Sequence, residues 1–128
     1  MENKNNPLSP HLQIYRWEIS SLLSIAHRIV GVLNIIVISL ICIWVILLSI
    51  SEPSYEVINF FMKSFFGKFF ALGLSWTFSF HILNEIRHLS WDLGYGFDLK
   101  VSKITGYLSI VGSFVFAVMI FLIGRQIL

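Results

Sequence analysis

The segment FHILNEIRHLSWD, residues 80–92, concentrates side chains that could do chemistry. His81 and His88 are seven residues apart, so they lie nearly on one line along an α-helix. His81 falls inside the run 69–84, which contains no Asp, Glu, Lys or Arg. An imidazole in such surroundings needs a partner for its ring nitrogens. That partner can be a hydrogen-bonding group on another helix or the iron of a haem, and spacing alone does not decide between the two.

A second polar cluster, SSLLSIAHRIVG, occupies residues 20–31. On a helix, its small and polar residues form one stripe: Ser20, Ser24, His27, Gly31 and Asn34. The first segment forms a matching stripe: Thr77, His81, Glu85, His88 and Asp92. Polar groups within a membrane face a bundle interior or a ligand, because lipid offers them no partner. Gly31 lacks a side chain beside His27, which leaves room for a flat ligand or a closely packed helix.

Three apolar runs must position these clusters. Residues 29–51, 69–84 and 104–124 contain no Asp, Glu, Lys or Arg. About 20 apolar residues cross a membrane, and the shorter middle run is extended upstream by four phenylalanines between 60 and 66. The sequence therefore predicts an all-α membrane protein with three transmembrane helices, at about 20–51, 58–93 and 103–127. We expect these helices to form a single anchor domain, 1–128.

The composition excludes several classes of protein. The 128 residues are 56% hydrophobic and only 12% charged, which is too little charge to cover a soluble domain. The net charge of +2 and the lack of a basic cluster give no indication of nucleic-acid binding. Cys42 is the single cysteine, so the chain cannot form an internal disulfide or a cysteine-based zinc framework.

The basic residues predict the orientation in the membrane. Six lie either in the N-terminal arm and the start of the first helix, or from the end of the second helix through the second loop: Lys4, Arg16, Arg28, Arg87, Lys100 and Lys103. The opposite ends carry only Lys63, Lys68 and Arg125. The positive-inside rule then places the N-terminus and the second loop on the cytoplasmic or matrix side, with both polar clusters at that face. The first nineteen residues resemble neither a secretory signal nor a transit peptide, so we expect a bacterial, organelle-encoded or processed protein.

Two motifs resemble a known family. NPLSPHLQIYRWEISSLLSIAHRIVG, residues 6–31, and HILNEIRHLSWDLGYG, residues 81–96, resemble the two signatures of the cytochrome b556 subunits of succinate dehydrogenase, respiratory complex II. With the three-helix pattern, the resemblance covers nearly the whole chain. It implies an anchor that shares a helical bundle with a second membrane subunit. It also implies docking of the iron–sulfur and flavoprotein subunits, and electron transfer to ubiquinone without succinate chemistry in this chain. The expected location is the bacterial cytoplasmic membrane or the mitochondrial inner membrane.

The resemblance also implies roles for individual residues. His81 is expected to be an axial ligand of b haem iron. The propionate side of the haem is expected to contact basic side chains: His27, Arg28, Arg87 and His88. The ubiquinone site is expected at Ser24, Arg28 and Asp92, with Trp91 nearby. His27 and His88 lie closer to the membrane surface than His81, so we expect the second haem ligand to come from the other membrane subunit.

Alternatives remain at this stage. Arg28 and Arg87 could simply anchor helix ends, and Ser24 could bond to its own helix. The same sites would serve a quinol–fumarate reductase anchor, and a transport or scaffold subunit could use the histidine stripe as a polar relay. The sequence also departs from the family: a small residue usually stands where this chain has Glu85, and Asn6 and Val30 are less marked departures.

Overall fold

The computed structural model describes residues 15–50 and 53–127. These residues form four helices and no strand: α1 (Ile19–Ile50), α2 (Pro53–Lys63), α3 (Phe65–Asp92) and α4 (Leu99–Ile127). The predicted all-α fold is confirmed. α1 agrees with the predicted bounds within one residue, whereas α4 begins four residues earlier than predicted. It starts after Asp98, whose carboxylate accepts a hydrogen bond from the Lys100 backbone N–H at 2.9 Å.

The start of α1, the end of α3 and the start of α4 meet at one end of the molecule. The Ser20 and Ser102 hydroxyls lie 2.9 Å apart and share a hydrogen bond. The Lys103 ammonium lies 3.0 Å from the Glu18 carboxylate. α3 therefore runs antiparallel to α1 and α4, and the two polar clusters of the sequence lie at the same end, as predicted.

The interior of the described fold is small and partly polar. Its fully buried apolar side chains are Leu23, Val30, Phe80 and Ala117. Six polar side chains are also buried: Asn34, Ser79, Asn84, Arg87, Ser109 and Ser113. Most of the large apolar residues point outward, and only 6% of the most apolar part of α1 is buried. This arrangement suits a helix surrounded by lipid or by other membrane helices.

Small residues on α4 allow the helices to approach closely. A Cβ atom built at Gly106 would lie 2.8 Å from Leu23 Cδ1, so α1 fits against α4 only because Gly106 has no side chain. Farther along α4, the fully buried Ser113 hydroxyl accepts a hydrogen bond from Trp76 Nε1 at 3.1 Å. Close approach at small residues and polar bonds between helices are the usual means of packing helices in membranes.

The predicted middle helix, 58–93, is broken in the structure. α2 begins at Pro53, and the chain bends by 85° between Lys63 and Phe65. Ser64 caps the new helix, because its hydroxyl accepts a hydrogen bond from the Gly67 N–H at 3.1 Å. A Cβ atom at Gly67 would clash with the Phe61 carbonyl oxygen, so the bend requires a glycine there. The prediction of one continuous helix was wrong at this point.

Two helices are long and apolar enough to cross a membrane, at Ile19–Ile50 and Leu99–Arg125. The bent pair Glu56–Lys63 and Phe65–Asp92 supplies a third span when it is counted as one unit. By length and composition, the described residues thus provide two or three spans. The predicted sidedness and the single-domain organisation stay predictions.

Candidate functional site

Three histidines from the two polar clusters stack on one another. His27 of α1 lies between His81 and His88 of α3, with ring centroids 4.3 Å from His81 and 5.1 Å from His88. The imidazole planes are tilted by only 21° and 17°, so the rings lie face to face. The seven-residue spacing of the α3 histidines places both rings on the side of α3 that faces α1.

A carboxylate joins this stack. Glu85 Oε2 lies 3.3 Å from His27 Nε2, a distance that suits an ion pair, although the geometry is not that of a hydrogen bond. The Glu85 side chain remains 67% exposed. One potential ligand atom each from His27, His81 and Glu85 lies within 4.8 Å of the other two. Imidazole nitrogen and carboxylate oxygen are common ligands of transition metals, so the cluster has the chemistry of a metal-binding site.

Gly31 brings α1 close to His81. A Cβ atom built at Gly31 would lie 3.1 Å from His81 Cε1 and 3.7 Å from His81 Nδ1. One turn farther along α1, the Asn34 amide donates a hydrogen bond of 3.4 Å to the Thr77 backbone carbonyl. The space predicted beside His27 is thus occupied by the His81 ring, which is held against the α1 backbone.

Several buried polar atoms at this site lack a hydrogen-bond partner among the described residues. They are His27 Nε2, His81 Nδ1 and Asn84 Oδ1, and Trp44 Nε1 lies elsewhere on α1. Buried polar atoms in folded proteins are nearly always bonded, so each orphan calls for an explanation. The orphan nitrogen of His81, Nδ1, lies against α1 at Gly31, so Nε2 is the ring nitrogen through which His81 could hold a haem iron.

His88 has a defined tautomer in this arrangement. Its Nδ1 lies 2.8 Å from the backbone carbonyl oxygen of Asn84, which can only accept a hydrogen bond. Nδ1 therefore carries the proton, and Nε2 of the neutral ring is left as an acceptor. His88 also meets Trp91 edge to face, with ring centroids 5.2 Å apart. A histidine that ligates a metal usually donates its other ring N–H in this way, so hydrogen bonding alone does not separate His88 from His81 as a ligand.

The predicted quinone residues lie near the same end of the molecule, but they do not form one contact network. Ser24 is half-buried one turn before Arg28, which is exposed. Within residues 15–50 and 53–127, the Ser24 hydroxyl has no hydrogen-bond partner, so the alternative of a bond to its own helix is not realised. Asp92 is exposed at the end of α3, and neither a hydrogen bond nor an ion pair joins it to Ser24 or Arg28 in the described structure.

Arg87 does not join the histidines. Its guanidinium is buried and donates four hydrogen bonds to neutral acceptors: Thr105 Oγ1 at 3.2 Å, Ser20 Oγ at 3.2 Å, and the carbonyl and hydroxyl oxygens of Ser102 at 3.0 Å each. Arg87 also lies over the Trp91 ring, 4.2 Å from its centroid. Along a helix, six residues place it about 120° away from His81. The expected role at the haem propionates is not supported by this placement.

The sequence matches the family described as succinate dehydrogenase/fumarate reductase transmembrane subunit over residues 2–120. The chain belongs to this family. The cytochrome b556 subunit of succinate dehydrogenase from Rickettsia felis is 39% identical over 107 residues, which cover 84% of this chain and 83% of the relative. The corresponding subunit from Paracoccus denitrificans is 34% identical, covering 90% and 88%. The cytochrome b560 subunit from Reclinomonas americana is 30% identical, covering 94% and 88%.

The family match spans both polar clusters. Residues 6–14, which form the start of the first family-like motif, lie outside the described residues. Sequence reasoning missed the contribution of α4, which carries the acceptors for Arg87. The signal was present: Ser102, Gly106, Ser109 and Ser113 recur every three or four residues along one face of α4. Such a stripe of small residues indicates close helix packing in a membrane.

Proposed function

We propose that this chain is the large membrane-anchor subunit of a succinate dehydrogenase, in which it binds b haem and forms part of a ubiquinone-reduction site. The single observation that carries the proposal is His81, which lies between α1 and α3 with a ring that makes no hydrogen bond to the described residues. It opens the second family-like motif, and the family match covers it. When bound, haem b supplies a one-electron carrier between the soluble subunits and the quinone.

The side chains around His81 have separate roles in this proposal. His81 ligates the iron, and the close approach of Gly31 fixes its ring. His27 and His88, stacked toward the end of the bundle, contact the propionates together with Arg28. Propionates are anionic, and charge-assisted hydrogen bonds from these groups would hold them. Arg87 is left out of this set because its bonds go to α1 and α4.

The second iron ligand is proposed to come from another membrane subunit. The rings of His27 and His81 stack with centroids 4.3 Å apart, so these two side chains would not hold one haem between them. His88 lies on the same helix as His81 and would not supply the second ligand either. The apolar side chains exposed along α1 offer a surface for the helices of that subunit. The iron–sulfur and flavoprotein subunits are proposed to dock at the end that holds the polar clusters.

Ser24, Arg28 and Asp92 are proposed to line the ubiquinone site. A quinone carbonyl accepts hydrogen bonds, and the unpaired Ser24 hydroxyl and the exposed Arg28 guanidinium are donors one turn apart on α1. Asp92 is positioned at the same end, where it could exchange protons with water during quinone reduction. The proposed location is the bacterial cytoplasmic membrane or the mitochondrial inner membrane, with this end on the cytoplasmic or matrix side.

The test compares His81→Leu with His88→Leu in the assembled complex. Leucine fills much of the imidazole volume but cannot ligate iron, so we expect His81→Leu to lose the b haem. His88→Leu serves as the matched control on the same helix face, and we expect it to retain ligated haem because His88 lies two turns nearer the end of α3, where it would contact the propionates. The measurement is the reduced-minus-oxidised spectrum of complex purified from each variant.

The possible outcomes distinguish haem ligation by His81 from ligation by another histidine and from a polar relay without haem. Normal haem in His81→Leu, or loss of haem only in His88→Leu, would show that the wrong histidine was chosen. A complex that never contains haem, in any variant, would instead favour a polar relay built from the stacked histidines and Glu85. Reduction of quinone by succinate and reduction of fumarate by quinol, measured on the same complex, separate the two directions of the family's reaction.

A further inference from the structure

Arg87 is a buried charge without a counter-charge in the described structure. Only 6% of its surface is exposed. Its four hydrogen bonds go to hydroxyl and carbonyl oxygens, and each of these acceptors is neutral. Among residues 15–50 and 53–127, the ion pairs are His27–Glu85 and Lys103–Glu18, so no carboxylate lies within salt-bridge distance of Arg87. A buried charge is costly unless an opposite charge accompanies it.

The guanidinium lines a cavity on the side of α3 that faces away from the stacked histidines. The cavity has a volume of about 280 Å³ and lies between the end of α3, the following loop and the first half of α4. Its lining includes Leu83 and Leu108 on the apolar side, and Ser90, Trp91 and Tyr95 nearer the end of the helices. Of the residues that the sequence analysis connects with haem or quinone, Arg87 and Trp91 line it.

This lining is graded from polar to apolar along the helix axis. Tyr95 is exposed and lies beyond the end of α3, where aromatic side chains anchor membrane proteins at the lipid–water boundary. Ser90 and Arg87 follow at increasing depth, and Leu83 lies one further turn inward. A ligand that matches this gradient has an anionic group at the level of Arg87 and an apolar chain that extends along Leu83 and Leu108.

We propose that the α3–α4 cavity binds the phosphate group of an anionic phospholipid, with Arg87 as the counter-charge and one acyl chain along the leucine-lined part. In hydrogen bonds among the described residues, Arg87 uses Nε and Nη2 but not Nη1, so a donor remains for a phosphate oxygen. Arginine suits this role because its planar group keeps its charge at all relevant pH values and presents several donors together.

The lipid accounts for features that other anions leave unexplained. A free phosphate ion would match Arg87 but would leave the apolar part of the cavity empty. A carboxylate from a partner subunit would also match the charge, but it would not account for the apolar lining at Leu83 and Leu108. The site does not depend on haem, so its test is independent of the proposed function.

The experiment uses the complex purified in mild detergent, with retained phospholipids counted by native mass spectrometry. Ser90→Leu fills the cavity without removing a bond of Arg87, since the Ser90 hydroxyl donates to the Ile86 carbonyl at 2.8 Å. Ser39→Leu is the matched control: the Ser39 hydroxyl makes the same bond to Ile35 at 2.8 Å, on an exposed face of α1. Arg87→Gln is the second test variant.

Phosphatidylglycerol, phosphatidylcholine and inorganic phosphate are added separately to each protein, and the thermal midpoint of the complex is recorded for each addition.

We expect the wild-type complex and Ser39→Leu to retain phosphatidylglycerol and to be stabilised by it. Ser90→Leu and Arg87→Gln should bind it about tenfold more weakly or worse, with the haem spectrum of Ser90→Leu unchanged. Equal retention in all four proteins would overturn the proposal. Stabilisation by inorganic phosphate alone, or loss of a protein subunit instead of a lipid from Arg87→Gln, would also overturn it and identify a free anion or a partner carboxylate as the counter-charge.

Discussion

Replacement of Gly31 tests whether the backbone of α1 fixes the His81 ring. In Gly31→Ala, the new Cβ would lie 3.1 Å from His81 Cε1. Optimal carbon–carbon contacts are about 3.5–4.0 Å, so the ring or the helix must move by about 0.4 Å or more. Overpacking of this kind costs about 1–3 kcal/mol. Alanine in place of glycine also favours the helix by about 0.5–1 kcal/mol, which offsets part of that cost.

Gly73→Ala is the control that isolates the contact. Gly73 lies in the interior of α3, and a Cβ there would have no heavy atom of the described structure within 4 Å. The control therefore receives the helix-propensity gain without the clash. The two variants should differ by about 1–3 kcal/mol, which corresponds to roughly a fivefold to hundredfold difference in haem affinity if His81 is the ligand. Gly31→Val, which adds two further methyl groups, should lower haem affinity more than Gly31→Ala.

The assay measures haem per complex after purification and the rate at which apomyoglobin removes haem from each variant. We expect Gly73→Ala to match the wild-type protein and Gly31→Val to release haem fastest. The thermal midpoint of the complex separates a local effect on haem from general loss of stability. Equal haem retention in Gly31→Val and Gly73→Ala would refute the reasoning, because it would show that the Gly31–His81 contact does not position the ligand.

Three further predictions follow from the other contacts. Ser24→Ala should slow quinone reduction by about tenfold while succinate oxidation by artificial acceptors persists, because one donor to the quinone is lost; wild-type quinone kinetics would show that the site lies elsewhere. Gly106→Val should destabilise the complex by about 1–3 kcal/mol, since a Cβ at that position would lie 2.8 Å from the Leu23 side chain of α1, and Gly124→Val, with no atom of the described structure within 4 Å of a Cβ, should leave the thermal midpoint near the wild-type value. Gly67→Ala should reduce the 85° bend between α2 and α3, which distances between spin labels on the two helices would detect as a straighter segment; an unchanged distance would contradict the role given to Gly67.

The helices and the histidine cluster could be predicted because both depend on local patterns. An apolar run of sufficient length specifies a spanning helix, and the helical repeat then fixes which side chains share a face. The proximity of the three histidines follows from these two rules once successive helices cross the membrane in opposite directions: His27, His81 and His88. The resemblance to the family added the haem to the same residues, but the face-to-face stack of the rings depends on how closely α1 and α3 approach.

The break at Ser64 could not be predicted from composition, because the phenylalanines on both sides make the apolar pattern continuous. The bend depends on two tertiary details: the Ser64 hydroxyl, which caps α3, and Gly67, where any side chain would clash with the Phe61 carbonyl oxygen. A Ser-x-x-Gly sequence is too common to identify such a break by itself. A continuous helix was therefore the natural prediction, and the structure corrects it.

The placement of Arg87 shows how one helix can serve two separate sites. Near the end of a membrane helix, an arginine side chain is expected to reach the membrane surface, where its charge would be available to the haem propionates. The helical repeat instead turns Arg87 about 120° from His81, toward the small residues of α4. There the hydroxyls of Ser102 and Thr105 meet it at 3.0–3.2 Å and hold the three helices together. The histidine face of α3 is thus free to bind a ligand, while the arginine face supports the packing that keeps the histidines in place.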